Sequence, residues 1–131
     1  MGNGNCVITI GGIDYPLYFG RLAVEEFAKR TEQHLSPNGF KIATDMVYAG
    51  MINFQSRNNL PLSPYSEVYD LMEAFSDEEN WEENFRQIDE AFFDSKYGSQ
   101  YKDKIEELKK KLETEMENLK KSLTSPEKTT G

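Results

Sequence analysis

The stretch VITIGGIDYPLYFGRLAVEEFAKRTEQHL, residues 7–35, decides the fold. It alternates apolar and polar side chains as a strand does, turns on Gly11-Gly12, alternates again, and then changes to helical spacing. Pairing the two strands across the glycines sets Ile10 opposite Ile13, Ile8 opposite Tyr15 and Cys6 opposite Leu17. That register gathers Cys6, Ile8, Ile10, Ile13, Tyr15, Leu17 and Phe19 on one face and leaves Val7, Thr9, Asp14 and Tyr18 on the other. An apolar face and a mixed face are what a hairpin laid over helices needs. A longer loop, which shifts the register by one residue, is the alternative. Pro16 has no N–H to donate, so the second strand is expected at an edge.

From Arg21 the period is helical: Val24, Phe27, Ala28, Thr31 and Leu35 share a stripe, and Glu25 and Glu26 stand four residues before Lys29 and Arg30. Ser36-Pro37-Asn38-Gly39 has the residues of a type I turn, so the first helix should end near Leu35. The next helix, residues 40–57, is the most apolar. Ala43, Met46, Val47, Gly50, Met51 and Phe54 form its stripe and Tyr48 and Ile52 widen it, as in a central helix covered on several sides. Gly50 weakens a helix by roughly 1 kcal/mol relative to Ala, which points to close approach of another element there.

After a loop at residues 58–62, Ser63-Pro64 reads as an N-cap followed by Pro at the first helical position. Tyr65, Val68, Met72 and Phe75 then form the stripe of a short third helix. Ser76 with Glu79 three residues on fits a capping box for a fourth helix, whose stripe is Trp81, Phe85, Ile88 and Phe92. Gly98 is read as its end and Ser99 as the cap of a last helix over residues 100–123. That helix is dense in Lys and Glu, with apolar residues at Ile105, Leu108, Leu112, Met116, Leu119 and Leu123. The second three repeat the first three at a spacing of eleven, which tracks a nearly straight helix rather than a left-handed heptad seam. Residues 124–131 are expected to be a disordered tail. The fold class is therefore mostly α: an N-terminal β-hairpin on a bundle of about four helices (residues 1–98), plus a long charged C-terminal helix (99–123).

Eight Phe, seven Tyr and one Trp in 131 residues suffice for a modest single core. No apolar run reaches the roughly 18–20 residues that span a bilayer, and the first residues lack a signal peptide's basic-then-apolar pattern. The lone Cys6 suits a reducing cytoplasm. Charge is uneven. Residues 67–94 carry eleven acidic side chains against Arg86 alone, within a net charge of −8, so a phosphate backbone is repelled and nucleic-acid binding is disfavoured.

Chemical motifs are scarce. His34 is the one histidine, and a cation at a helix C-terminus accounts for it; there is no CxxC or HExxH pair. Gly11-Gly12 lacks the spacing and the Lys of a phosphate cradle. Residues 77–88 have the length of a calcium loop but put Trp81 at its fifth position and Glu82 where the turn glycine belongs. No catalytic, cofactor-binding or metal-ligating residue is nominated, and a non-enzymatic protein is expected. The candidate interaction residues are Ile105, Leu108, Leu112, Met116 and Leu119, a stripe suited to self-association into a homo-oligomer.

The order and spacing of these segments resemble the tail assembly chaperones of long-tailed, siphovirus-like bacteriophages. The likeness lies in ITIGGIDYPLYF, in the helix GRLAVEEFAKRTEQHL, in ATDMVYAGMINFQSRNN with its Tyr48-Ala49-Gly50, and in LSPYSEVYDLMEAF introduced by Ser63-Pro64. It covers residues 7–95; the long Lys/Glu helix lies outside it. The resemblance implies a chaperone that binds and solubilises the tape-measure protein, helps recruit tail-tube protein, works in the host cytoplasm, and leaves before the virion is finished. The alternative is a small acidic helical adaptor or inhibitor that binds a basic host or phage protein through residues 67–94. Because each element before Gly98 has its own buried stripe, truncation after Gly98 is expected to leave a soluble, cooperatively melting protein. An unfolded product would assign the last helix to the core.

Overall fold

The computed structural model describes residues 2–32 and 39–123. In order they form β1 (Asn5–Ile10), β2 (Ile13–Tyr18), α1 (Arg21–Glu32), α2 (Gly39–Arg57), α3 (Tyr65–Ser76), α4 (Trp81–Asp94) and α5 (Lys96–Leu123). The fold is thus mostly helical, with an N-terminal two-stranded antiparallel hairpin and five helices, the last of them long. The expected turn after α1, with Leu35 and His34 before it, and the tail beyond Leu123 lie outside the described residues. The chain divides into two compact units, Met1–Ser99 and Gln100–Gly131.

The hairpin has the two-residue turn and not the longer loop. Cys6 pairs with Leu17, Ile8 with Tyr15 and Ile10 with Ile13. Gly11 and Gly12 both have positive φ, 57° and 80°, as the tight turn that matches strand twist requires. On the outer face the Thr9 hydroxyl donates to Asp14 Oδ1 at 2.7 Å across the strands. The inner face is buried at Ile8, Ile10, Leu17 and Phe19, but Ile13 is 57 % exposed. The buried face therefore reaches the turn on β1, at Ile10, and stops short of it on β2.

α2 is the centre of the first unit and touches β2, α1, α3 and α4. Ala43, Met46, Val47, Ala49, Met51 and Ile52 are all buried along it. Each fully buried large aliphatic side chain contributes about 1.5–3 kcal/mol. Gly50 marks the crossing of β2. A Cβ there would stand 2.6 Å from Phe19 Cε1 and 3.1 Å from Leu17 Cβ. One turn on, the buried Asn53 holds the start of α1. Its Oδ1 accepts the N–H groups of Gly20 at 3.0 Å and Ala23 at 3.1 Å, the work an N-cap side chain usually does. Phe19 then meets Phe92 of α4 edge-on at 5.2 Å, and Phe27 of α1 meets the same ring at 4.9 Å.

The helix starts differ from those read in the sequence. Ser63 does not cap α3: its N–H and hydroxyl are both taken by the Gln55 side chain, and Pro64 occupies the cap position in extended conformation. Ser76 does not open α4, because its hydroxyl turns back to donate to the Glu73 carbonyl at 2.9 Å. It is the last residue of α3, and α4 follows a left-handed Asn80. Gly98 does not close α4 either. That helix stops at Asp94, and the buried Ser95 caps α5 by accepting the Gly98 N–H at 3.1 Å while donating to the Phe92 carbonyl at 2.6 Å. The expected buried stripes hold at Val68, Met72 and Phe75 in α3 and at Ile88 and Phe92 in α4.

Replacing Gly50 with Ala should destabilise the protein by about 1–3 kcal/mol, because Leu17 Cβ cannot yield without moving the strand. Urea unfolding would measure it. A gain in stability, as helix propensity alone demands, would refute the crossing.

Candidate protein-docking site

The C-terminus of α2 builds one side of an apolar groove. Asn59 sits in left-handed conformation (φ 55°) just past the helix, and the Leu60 N–H returns to the Gln55 carbonyl at 2.9 Å. With the longer Asn59 N–H to Ser56 bond of 3.4 Å, this is a Schellman end, in which Asn takes the place more often given to Gly. The Gln55 amide then pins the chain again at Ser63, both bonds being 2.8 Å. The loop between is thus held at both ends, with Leu60 48 % and Leu62 58 % exposed.

The groove, about 160 Å³, is lined by Tyr15 and Pro16 of β2, Met51 and Phe54 of α2, Leu60 of the loop and Leu71 of α3. Gln55, Ser63 and Glu67 supply its polar part. The volume is below the roughly 300–1,000 Å³ of a small-molecule site. It has room for side chains and not for a whole ligand. Glu67 of α3 lines the groove and the exposed Asp70 follows it one turn on, so the field beside the groove is negative. Phe54 also lines a more polar hollow of about 290 Å³ with Asn5, Tyr18, Arg57 and Asn58, where the Arg57 guanidinium is 4.3 Å from the centroid of the Tyr18 ring.

A second polar cluster ties three helices together. Tyr65 donates to Oδ1 of the fully buried Asp45 at 2.7 Å, and the Arg30 guanidinium lies 4.5 Å from the centroids of both Tyr48 and Tyr65. Glu26 Oε2 is 3.4 Å from Arg30 Nε. Burial first, and then the bond to Asp45, raise the Tyr65 hydroxyl well above its ordinary pKa. A phenol so held is a fixed donor within the fold.

The five residues proposed from sequence all lie along α5. Leu108, Leu112, Met116 and Leu119 are 54, 57, 62 and 62 % exposed, while Ile105 is half-buried. The groove residues were not nominated from sequence, since they come from four separate segments, and the exposed Leu60-Pro61-Leu62 was the one local hint. Among the described residues, no three His, Cys, Asp or Glu side chains converge to hold a metal ion. No described helix is long and apolar enough to cross a membrane. Comparison of the chain with protein-family models, curated proteins and solved structures finds no match.

Cys6, half-buried in β1, has its thiol pushed up to about 11 by desolvation. The thiolate is the reactive form, so iodoacetamide at pH 8 should modify the folded protein far more slowly than the urea-unfolded chain. The unfolded thiol ionises near 9, so between about pH 9 and 11 the unfolded state binds fewer protons and stability falls as pH rises. Equal alkylation rates in the two states would show that the thiol is not shielded.

Proposed function

We propose that this chain is a non-enzymatic tail assembly chaperone of a long-tailed phage, acting in the host cytoplasm. It binds and solubilises the tape-measure protein and helps recruit tail-tube subunits. The order of hairpin, helix, central helix with Tyr48-Ala49-Gly50, and Ser63-Pro64 helix supports this reading by resemblance. The observation that carries it is the apolar groove between β2, α2 and α3, with Glu67 in its lining and Asp70 beside it on α3. The occupant it suits is an amphipathic helix with aliphatic anchors and basic residues at its margins. A tape-measure protein, expected to expose long apolar helical surface before its tube forms, offers such helices. The chain's net charge of −8 would keep the complex in solution.

The second reading, an acidic adaptor for another basic protein, rests on the carboxylates of residues 67–94, all of which are exposed except the half-buried Asp89. The two readings separate in one experiment. Co-expression with the tape-measure protein of the same genome should move that protein into the soluble fraction as a co-purifying complex. Leu60→Asp, at an exposed position, should weaken the complex at least about tenfold while leaving the melting curve unchanged. Insoluble tape measure, with no complex to it or to tail-tube protein, would overturn the chaperone reading in favour of the adaptor.

A further inference from the structure

We propose that the second unit pairs with the same segment of a second copy as an antiparallel two-helix coil centred on Leu112. This goes beyond the chaperone reading and does not depend on it. On a helix turning about 100° per residue, Ile105, Leu108, Leu112, Met116 and Leu119 fall within an arc of roughly 80°. Four of the five are more than half exposed, so one chain leaves a continuous apolar strip facing water. The gaps along it are 3, 4, 4 and 3 residues, the same from either end. An antiparallel copy therefore sets Ile105 against Leu119, Leu108 against Met116, and Leu112 against itself on the two-fold axis. Such a contact is self-complementary and closes at two chains.

Charge selects this direction. The same helical geometry puts Lys104, Lys111 and Glu115 along one edge of the strip and Lys109, Glu113 and Lys120 along the other. In an antiparallel pair each edge faces its own counterpart. With Leu112 at the centre, Lys111 meets the copy's Glu115 and Lys109 meets its Glu113, each twice by symmetry. Lys102 shares the edge of Lys120. The like-charge meetings within the same two-residue reach are Lys111 with its own copy and Glu113 with its own copy, once each beside the axis, and Lys102 with Lys120 at the outer ends, where water and salt screen it. In a parallel, in-register pair each edge faces the opposite one. At the same two-residue reach Lys104 then meets Lys102, Lys111 meets Lys109 and Glu115 meets Glu113, each twice. Among these edge residues only Lys111 with Glu113 compensates, and the Lys109-Lys110-Lys111 block lies level with its own copy. The opposed arrangement also sets the positive N-terminal end of each helix beside the negative C-terminal end of its copy.

The full chain should sediment as a dimer in dissociating equilibrium with monomer, and Leu112→Asp should leave monomer alone. Lys109→Glu with Lys111→Glu should weaken the dimer at least about tenfold at low salt, and adding Glu113→Lys with Glu115→Lys should restore it. In a Cys6→Ser background, Ile105→Cys chains mixed with Leu119→Cys chains should form the mixed disulfide in preference to either self-linked one. A monomer at every concentration, a larger assembly, or a dimer unchanged by Leu112→Asp would overturn the proposal. A dimer unweakened by the Lys109/Lys111 charge reversal, or preferential self-linking at position 105, would overturn it by showing a parallel pair.

Discussion

The first unit depends on one turn of α2. At Gly50 the missing side chain lets β2 lie directly on the helix through Leu17 and Phe19. At Asn53, three residues on and on the same side, the amide oxygen collects the two N–H groups that open α1. The corner where strand becomes helix is thus gripped twice, once by contact and once by hydrogen bonds. Its direction decides where Phe19 and Phe27 go, and both reach the same ring of Phe92. Packing of α4 against the hairpin follows from that ring.

The same helix continues the pattern at both ends with polar side chains. Toward its start, buried Asp45 takes the Tyr65 hydroxyl and so positions α3. Toward its end, Gln55 fixes the loop through Ser63, which sets Leu60 beside Phe54 and Leu71. The loop wall of the groove is thus tied to α2 at both its ends. A helix of the kind proposed to dock there would meet a surface already ordered, with little further entropy to lose on that side.

Much of this was legible in the sequence, and what was missed has a common cause. The Gly11-Gly12 pair and the strict alternation around it specify the register, because a one-residue slip would turn every apolar side chain outward. Helical stripes at Val68, Met72, Phe75, Ile88 and Phe92 follow from spacing alone. Helix caps were misread at Ser63, Ser76 and Ser99 because a hydroxyl near a helix start has several partners within reach. Which one it takes depends on the tertiary neighbour: Gln55 claims Ser63, and Ser95 reaches the start of α5 before Ser99 can. Thr44, Asp45 and Asn53 are buried polar residues inside an apolar stretch, and their importance shows only when distant segments arrive. The groove was invisible for the same reason. The stripe on α5 could be read, but its exposure could not, since core and contact stripes have the same spacing.

Ser95 has a consequence for the order in which the chain acquires structure. Starting a helix is costly, since several residues must be fixed before the first hydrogen bond forms, whereas adding to an existing turn is easy. The first turn of α5 is fixed within the folded unit by the Ser95 hydroxyl and by the Ser99 N–H on the Ser95 carbonyl. A Lys/Glu-rich segment that would wind only intermittently as a free peptide is therefore supplied with a ready nucleus at one end. As the chain leaves the ribosome, the helix grows outward from that nucleus once the preceding unit has closed. Under thermal agitation an unpaired chain unwinds from the opposite end first.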